Sequence, residues 1–301
     1  MLHSINETLN HQDFPNSALY MVSTPIGNLA DITFRAAYIL ANVDGIACED
    51  TRHTIHLLNH LGIQKPLLAI HDHNEIVGAK KLLDMLNKGQ RWAYVSDAGT
   101  PGISDPGSKL VHTIHSAGKK IIPIPGVSAI TTALSVSGIT SIHSNGMFQF
   151  FGFLPTKGQE RKSILEKIYS STLASVFFES PQRIYETLSE ICSALKNQIR
   201  HVLIGRELTK KFESIECLTV SQLEEWLKNS PTLKGEFCIV VEGYKSTNAS
   251  NHEIGQMIQP IRLINVLSDY LGSKQVAEVM AKCELMTKKE AYELTLSLIH
   301  I

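Results

Sequence analysis

Five times between Ala18 and Gly138 a short apolar run is followed by a longer amphipathic stretch, and nothing else in the sequence restricts the fold as tightly. The runs are ALYMVST, GIACE, PLLAI, RWAYVS and KIIPI. The stretches are DITFRAAYILANV, TRHTIHLLNHLG, EIVGAKKLLDMLNKG, PGSKLVHTIHSAG and GVSAITTALSVSG. Runs this short suit strands buried on both faces. A strand–helix alternation of this kind predicts a largely parallel sheet covered by helices on each side. Asp31 and Asp105 stand where N-caps belong, Asn74 precedes the third helix, Gly62 closes the second, and Pro106 fits a first turn.

After residue 143 the rhythm changes. FQFFGFLP opens a second set in which strands also follow strands, so residues 144–244 read as a mixed α/β domain beside an N-terminal α/β domain at 18–143. YKSTNASNHE reads as a polar linker. Residues 254–301 read as a small helical extension, with Ser273 and Thr287 as N-caps. Residues 1–17 lack the basic-then-apolar plan of a signal peptide and read as a loose leader.

The 301 residues are 43% hydrophobic and 19% charged, as in ordinary soluble proteins, and no run is long enough to span a bilayer. The net charge of −1 argues against gripping nucleic acid by overall charge and leaves room for a local basic cleft. The five cysteines are scattered and odd in number. Cysteines in apolar-patterned segments predict buried free thiols and a cytoplasmic setting.

Ligands of parallel sheets bind at the carboxyl ends of the strands. Three such ends carry special backbone chemistry: STPIGN (23–28), VSDAGTPGISDPG (95–107) and PIPGVSA (123–129). Gly99 and its neighbours let the backbone approach a ligand, and the prolines hold each loop in one shape. Each loop alone is equally a tight turn; together they resemble the lining of a small-molecule cleft. No two glycines stand two residues apart, which removes a dinucleotide fingerprint. Gly102 and Gly107 have phosphate-loop spacing, but Ser108 replaces the required lysine. Loops with few cations and many backbone groups suit a nucleoside such as S-adenosylmethionine better than a polyphosphate.

The segments VSTPIGNLADIT, EDTR, DHNE, VSDAGTPGISDPG, PGVSA, GFLP, FFESPQR, GRELTKKFE and KGEFCIVVEG, in this order, resemble the ribosomal RNA small-subunit methyltransferase I family of the tetrapyrrole methylase superfamily. The resemblance runs from about residue 18 to 244. It implies two α/β domains with S-adenosylmethionine in the cleft between them, and a homodimer. It implies methyl transfer to the ribose 2′-hydroxyl of a cytidine in the decoding region of small-subunit (16S) ribosomal RNA. By similarity, Pro25, Ile26, Asp97, Thr100, Ser128, Ala129, Glu179 and Leu208 fall at cofactor positions. The superfamily's usual first loop is altered here to TPIGN, so roles at the tetrapyrrole site do not transfer.

Transfer to a ribose hydroxyl needs alignment and a proton acceptor. Glu49 and Asp50, ending the second run, are the candidate catalytic acids, with Asp50 as acceptor and Arg52 on an RNA phosphate. Equally, Asp50 caps the next helix and Arg52 pairs with Glu49. In HDHNE (71–75), His73 suits base or ribose recognition, or Asn74 simply caps; two histidines on one strand end are too few for a metal, and none is expected. Lys157, Arg161, Lys162, Arg206, Lys210 and Lys211 form either an RNA-facing rim or an ordinary solvated face. Two rivals stay open: a small-molecule (tetrapyrrole-type) methyltransferase, and a non-catalytic RNA-binding or assembly protein that keeps the cofactor fold.

Overall fold

The computed structural model describes residue 9 and residues 12–140, 146–229, 234–244, 260–283 and 285–299. The chain divides into two compact units, Met1–Lys245 and Ser246–Ile301. Two five-stranded sheets lie in the first unit.

The first sheet holds β1 (Ala18–Val22), β2 (Gly45–Cys48), β3 (Leu67–Ala69), β4 (Trp92–Val95) and β5 (Lys120–Ile124), in the order β3-β2-β4-β1-β5. Every pairing is parallel. Side chains alternate between faces with period two, and this alternation builds two separate cores. Ala18, Tyr20, Val22, Ile46, Cys48, Ala93 and Val95 pack with Ala36, Ile39 and Leu40 of α1 (Phe34–Asn42) and Leu57 and Leu58 of α2 (Thr51–Leu61). Leu19, Ala47, Trp92 and Tyr94 face the other way, onto Leu82 and Leu86 of α3 (Glu75–Asn87) and Leu110 and Ile114 of α4 (Ser108–Ser116).

The fifth helix departs from this plan. Ile130 and Ala133 of α5 (Ala129–Ser137) pack on Val176, Leu203, Cys238 and Val240, which belong to the second sheet. That sheet holds β6 (Phe148–Phe153), β7 (Ala174–Glu179), β8 (His201–Arg206), β9 (Ser214–Thr219) and β10 (Phe237–Val241), in the order β6-β7-β10-β8-β9. Only β6 and β7 pair parallel. Its other face is covered by α6 (Gly158–Ser170), α7 (Ile184–Leu195) and α8 (Val220–Asn229). Here Arg200 is fully buried, and its guanidinium donates to the carbonyls of Ile168 (3.1 Å) and Tyr169 (2.8 Å), tying down the end of α6.

The second unit contains α9 (Pro260–Ser268), α10 (Ser273–Lys282) and α11 (Lys288–Ile299) around Ile264, Val276, Met280 and Ala291. Thr287 caps α11, exchanging hydrogen bonds with Glu290, whereas Gly272 precedes α10 and Ser273 is its first residue. Among the described residues no helix is long and apolar enough to cross a membrane. The linker residues 245–253 lie outside the described residues.

Several sequence expectations are corrected. The cap of α1 is Thr33, whose hydroxyl accepts from the Ala36 amide at 3.0 Å; Asp31 sits in a preceding 3-10 turn. Asn74 precedes α3, but its carboxamide binds the His71 amide and the Ala69 carbonyl instead of the helix. The leader is anchored at its end: Phe14 packs 5.1 Å from the Tyr20 ring, under the Arg91 guanidinium at 4.5 Å. Cys48, Cys192 and Cys238 are buried, but Cys217 and Cys283 are exposed.

The start of α4 is the most consequential correction. Asp105 is not its cap, and Pro106 is not in its first turn. The helix begins at Ser108 after Gly107, whose φ of 130° suits only glycine. The capping group comes from Glu75, 2% exposed, whose Oε1 accepts from the Gly107 amide (3.0 Å) and the Leu110 amide (2.9 Å). A carboxylate at a helix N-terminus answers both the open amides and the helix dipole. Replacing Glu75 by Ala therefore leaves two buried donors unpaired and should cost about 1–3 kcal/mol for each. Urea unfolding should show a clearly lower midpoint for Glu75→Ala and a smaller loss for Glu75→Gln, which keeps the accepting oxygen.

Candidate active site

The carboxyl ends of β4, β1 and β5, neighbours in the first sheet, are fastened to one another beyond the strands. Thr24 and Gly99 exchange backbone hydrogen bonds of 2.9 and 3.0 Å in a short antiparallel bridge. The Thr100 hydroxyl donates to the Val127 carbonyl at 3.2 Å, which leaves the Ser23 hydroxyl to donate to Thr100 Oγ1 at 3.1 Å. Gly99 has a φ of 75°, and a Cβ there would stand 3.4 Å from Ile26 Cγ2. The three Gly/Pro loops of the sequence thus form one wall.

That wall faces a cavity of about 370 Å³, within the range of small-molecule sites. Ile26, Asp97 to Thr100 and Ser128 to Ile130 line it from the first sheet side. Phe153, Phe178 to Pro181, Leu208 and Glu236 to Cys238 line it from the second. The buried lining residues are Gly99, Ile130, Glu179, Leu208, Phe237 and Cys238; the exposed ones are Asp97, Ala98, Ile103, Phe153 and Glu236. The cavity has an apolar floor and a mixed lip.

Leu208 is held in an unusual way. β8 ends at Arg206 because Glu207 (φ 50°) and Thr209 (φ 67°) adopt left-handed backbone on either side of it. Such residues cost about 1–3 kcal/mol each and persist where the surroundings enforce them. Here the Glu207 carboxylate accepts from the Glu236 amide (2.8 Å) and Lys210 (3.0 Å), and the Thr209 amide donates to Glu213 (2.6 Å). The strain aims Leu208 into the cavity.

The electrostatics are one-signed. Among the described residues, no Lys, Arg or His lines the cavity, while Asp97, Asp105, Glu179 and Glu236 do. Burial raises Asp105 to about 6, with the negative charges of Glu49, Asp97 and Asp72 adding to the rise against a hydrogen bond to Ser96. Glu49, at the end of β2, is also pushed up, by burial first and by Asp97 next. A site of this kind repels phosphates and favours a neutral or cationic ligand.

Of the residues expected to hold a cofactor, Ile26, Asp97, Gly99, Thr100, Ser128, Ala129, Glu179 and Leu208 come together here. Pro25 is buried beside them without lining the cavity. Glu179 lines it, but its carboxylate is fully occupied by Arg183 (2.6 Å), the Thr187 hydroxyl (2.8 Å) and Arg161 (3.7 Å). Sequence reasoning missed Ile103, Asp105, Ile130, Phe153, Phe178 and Cys238. GFLP and FFESPQR carry two of these; GFLP was legible as a motif without a role, and FFESPQR had a role only at Glu179.

The residues expected at the chemistry and on the RNA lie outside the cavity lining. Asp50 caps α2 through the Arg52 amide (2.8 Å), and both its oxygens bind the Arg52 side chain. Those bonds hold its pKa down at about 2, which makes it a poor proton acceptor. Arg52 pairs with Asp50 and not with Glu49. Asp97 accepts from the Asp50 amide at 3.1 Å, and its other carboxylate oxygen lies 3.1 Å from His53 Nδ1. His73 is exposed, 6.0 Å from the His71 ring. Among the described residues no three His, Cys, Asp or Glu are gathered so as to hold a metal. Lys157 is exposed at the start of α6. Arg206 donates to the Lys234 carbonyl at 2.6 Å, and Lys210 is paired with Glu207 and Glu236. Arg161 is buried in ion pairs and is no part of an exposed rim.

The sequence and the fold match known proteins. The Tetrapyrrole (Corrin/Porphyrin) Methylases profile matches residues 18–224. The chain belongs to the tetrapyrrole methylase family. It is 42% identical to the Ribosomal RNA small subunit methyltransferase I of Haemophilus influenzae, over 93% of this chain and 96% of that one. The protein of that name from Halalkalibacterium halodurans is 39% identical over 92% of this chain and 93% of its own. Among solved structures, diphthine synthase matches with a TM-score of 0.56 at 16% identity, over 75% of this chain and 90% of that one. A cobalt precorrin-4 methyltransferase matches with a TM-score of 0.54 at 16% identity, over 75% and 95%. These two show the shared methylase fold.

Asp105 gives a test of the site's electrostatics. The unfolded group titrates near 3.8 and the folded one at about 6. Between these values the folded state holds more protons, so stability should fall as pH rises from about 4 to 6. Urea midpoints across that window should fall less in Asp105→Asn than in the parent.

Proposed function

We propose that this protein transfers a methyl group from S-adenosylmethionine to the ribose 2′-hydroxyl of a cytidine in small-subunit (16S) ribosomal RNA. The observation that carries the cofactor reading is the cavity lined by carboxylates and apolar groups without a cation. The relatives' shared name points to the RNA. The residues fit the cofactor chemically. Ile26, Ile130 and Leu208 offer apolar surface for a nucleoside, the start of α5 at Ser128–Ala129 offers backbone amides, and Asp97 and Asp105 complement a positive charge. When bound, S-adenosylmethionine supplies an activated methyl on a cationic sulfur.

The chain's part is to align the hydroxyl, exclude water and accept a proton. Of the two expected acids, Glu49 is the better acceptor, because its pKa is raised while that of Asp50 is lowered. The Asp97 backbone offsets part of the rise in the Glu49 pKa, which puts Glu49 close to a residue of the cavity lip. On this reading the protein works in the cytoplasm with the ribosomal subunits, as a homodimer.

The test incubates the protein with labelled S-adenosylmethionine and small subunits from a strain lacking the activity, then maps the methylated nucleotide. A 2′-O-methylcytidine is expected. A methylated base, or label only on an added tetrapyrrole, would overturn the reading; RNA binding without transfer would favour the assembly role. In single turnover, Glu49→Gln should lower the rate by roughly 10²–10⁴-fold, with cofactor binding retained. Asp50→Ala should act mainly on stability, through the lost cap.

A further inference from the structure

Phe153 is a large apolar residue left 56% exposed at the lip of the cavity. Its placement is not that of a loose surface side chain. The β6–β7 register shifts between Phe150 and Phe153, and Gly152 inside this bulge has a φ of 66°. A bulge re-aims the side chain that follows it. A Cβ on Gly152 would stand 3.0 Å from Ser104 Oγ, so the glycine allows the bulge to meet the long loop after β4.

The chain just beyond Phe153 is clamped as well. Arg183 donates to the Leu154 carbonyl at 2.8 Å and Arg161 to the Pro155 carbonyl at 3.2 Å. Both arginines are themselves held by the buried Glu179. The ring of Phe153 lies 5.4 Å from that of Phe178, which stands 5.1 Å from Phe150 at 68°. Behind an exposed ring, then, stand an aromatic wall, a bulge and an ion network. Such rigidity reduces the ordering cost of binding.

We propose that Phe153 is the platform on which the base of the target nucleotide stacks, with Ile103, 46% exposed, closing the slot across the lip. The proposal rests on the RNA methyltransferase reading. The occupant follows from the lip's chemistry. The cofactor belongs to the buried floor, so what meets the exposed ring enters last, from the substrate. Asp97 on the same lip repels phosphate, and the charge of Glu236 there is matched by Lys210. A base is the uncharged, planar part of a nucleotide, and stacking needs no complementary charge.

The experiment compares Phe153→Ala, Phe153→Leu and Phe153→Trp with the parent enzyme on small ribosomal subunits, with cofactor affinity measured by calorimetry. Stacking contributes about 1–3 kcal/mol per base, so Ala should lower kcat/KM for the RNA roughly five- to 150-fold. Leu should fail to rescue, Trp should rescue, and all three should bind S-adenosylmethionine as the parent does. On adding subunits, the fluorescence of the indole introduced by Phe153→Trp should be quenched. An Ala or Leu variant with parental kcat/KM overturns the proposal. So does a loss confined to cofactor affinity, which would assign the ring to the cofactor's adenine. A parent enzyme that does not methylate subunits overturns the functional reading itself.

Discussion

Everything at the cavity depends on the reciprocal backbone pair between Thr24 and Gly99. Strands β1 and β4 run parallel, so their chains leave the sheet in the same direction. The pair at Thr24 and Gly99 is antiparallel, which requires the β4 chain to turn back on itself at once. Only a residue content at a φ of 75° permits that turn without strain, and Gly99 supplies it. The turn then presents Thr100 to Ser23 and Val127. One doubled-back residue thereby joins three neighbouring strand ends into a single rigid wall.

Charge is used in two ways around that wall. Glu179 and Arg161 are almost fully buried, and each is satisfied by several partners. Breaking such a network by removing one member leaves an uncompensated buried charge, so its role is to fix the segments after β6 and β7. Glu75 does the same between the HDHNE segment and α4. Asp105 and Glu49 instead carry raised pKa values beside open space, the pattern expected of groups that meet a ligand or a proton.

The first sheet was legible because β2 and β4 are buried on both faces and read as uninterrupted apolar runs. The three loops were legible because Gly and Pro mark unusual backbone locally. Contacts decided by distant partners were not. Glu75 caps a helix that starts beyond residue 107, so Asp105-Pro106 looked sufficient by itself. Arg161 sits among charged neighbours in GQERK, and nothing local distinguishes the one residue of that run turned inward onto Glu179. Glu236 to Cys238 reach the cavity because β10 inserts between β7 and β8, a pairing that no short motif encodes. Left-handed Glu207 and Thr209 gave no signal either, since neither is a residue type that favours the conformation.

An acidic cavity that acts on RNA has to keep the polyanion nearby without drawing its phosphates inside. The exposed ion pairs reconcile these demands. Arg52 is 87% exposed and is ion-paired with Asp50, itself near the surface. A solvent-screened pair of this kind holds weakly, so a phosphate can take the carboxylate's place at little cost. Lys210 is bridged by Glu207 and the 79% exposed Glu236, and only the outer of these two partners is open to the same exchange. Arg161, deep in its network, is not. The cations able to change partners therefore lie outside the cavity lining, and the groups that line it are neutral or negative. On the proposed reading, the backbone of an RNA is held at the rim, and only its uncharged parts are free to enter.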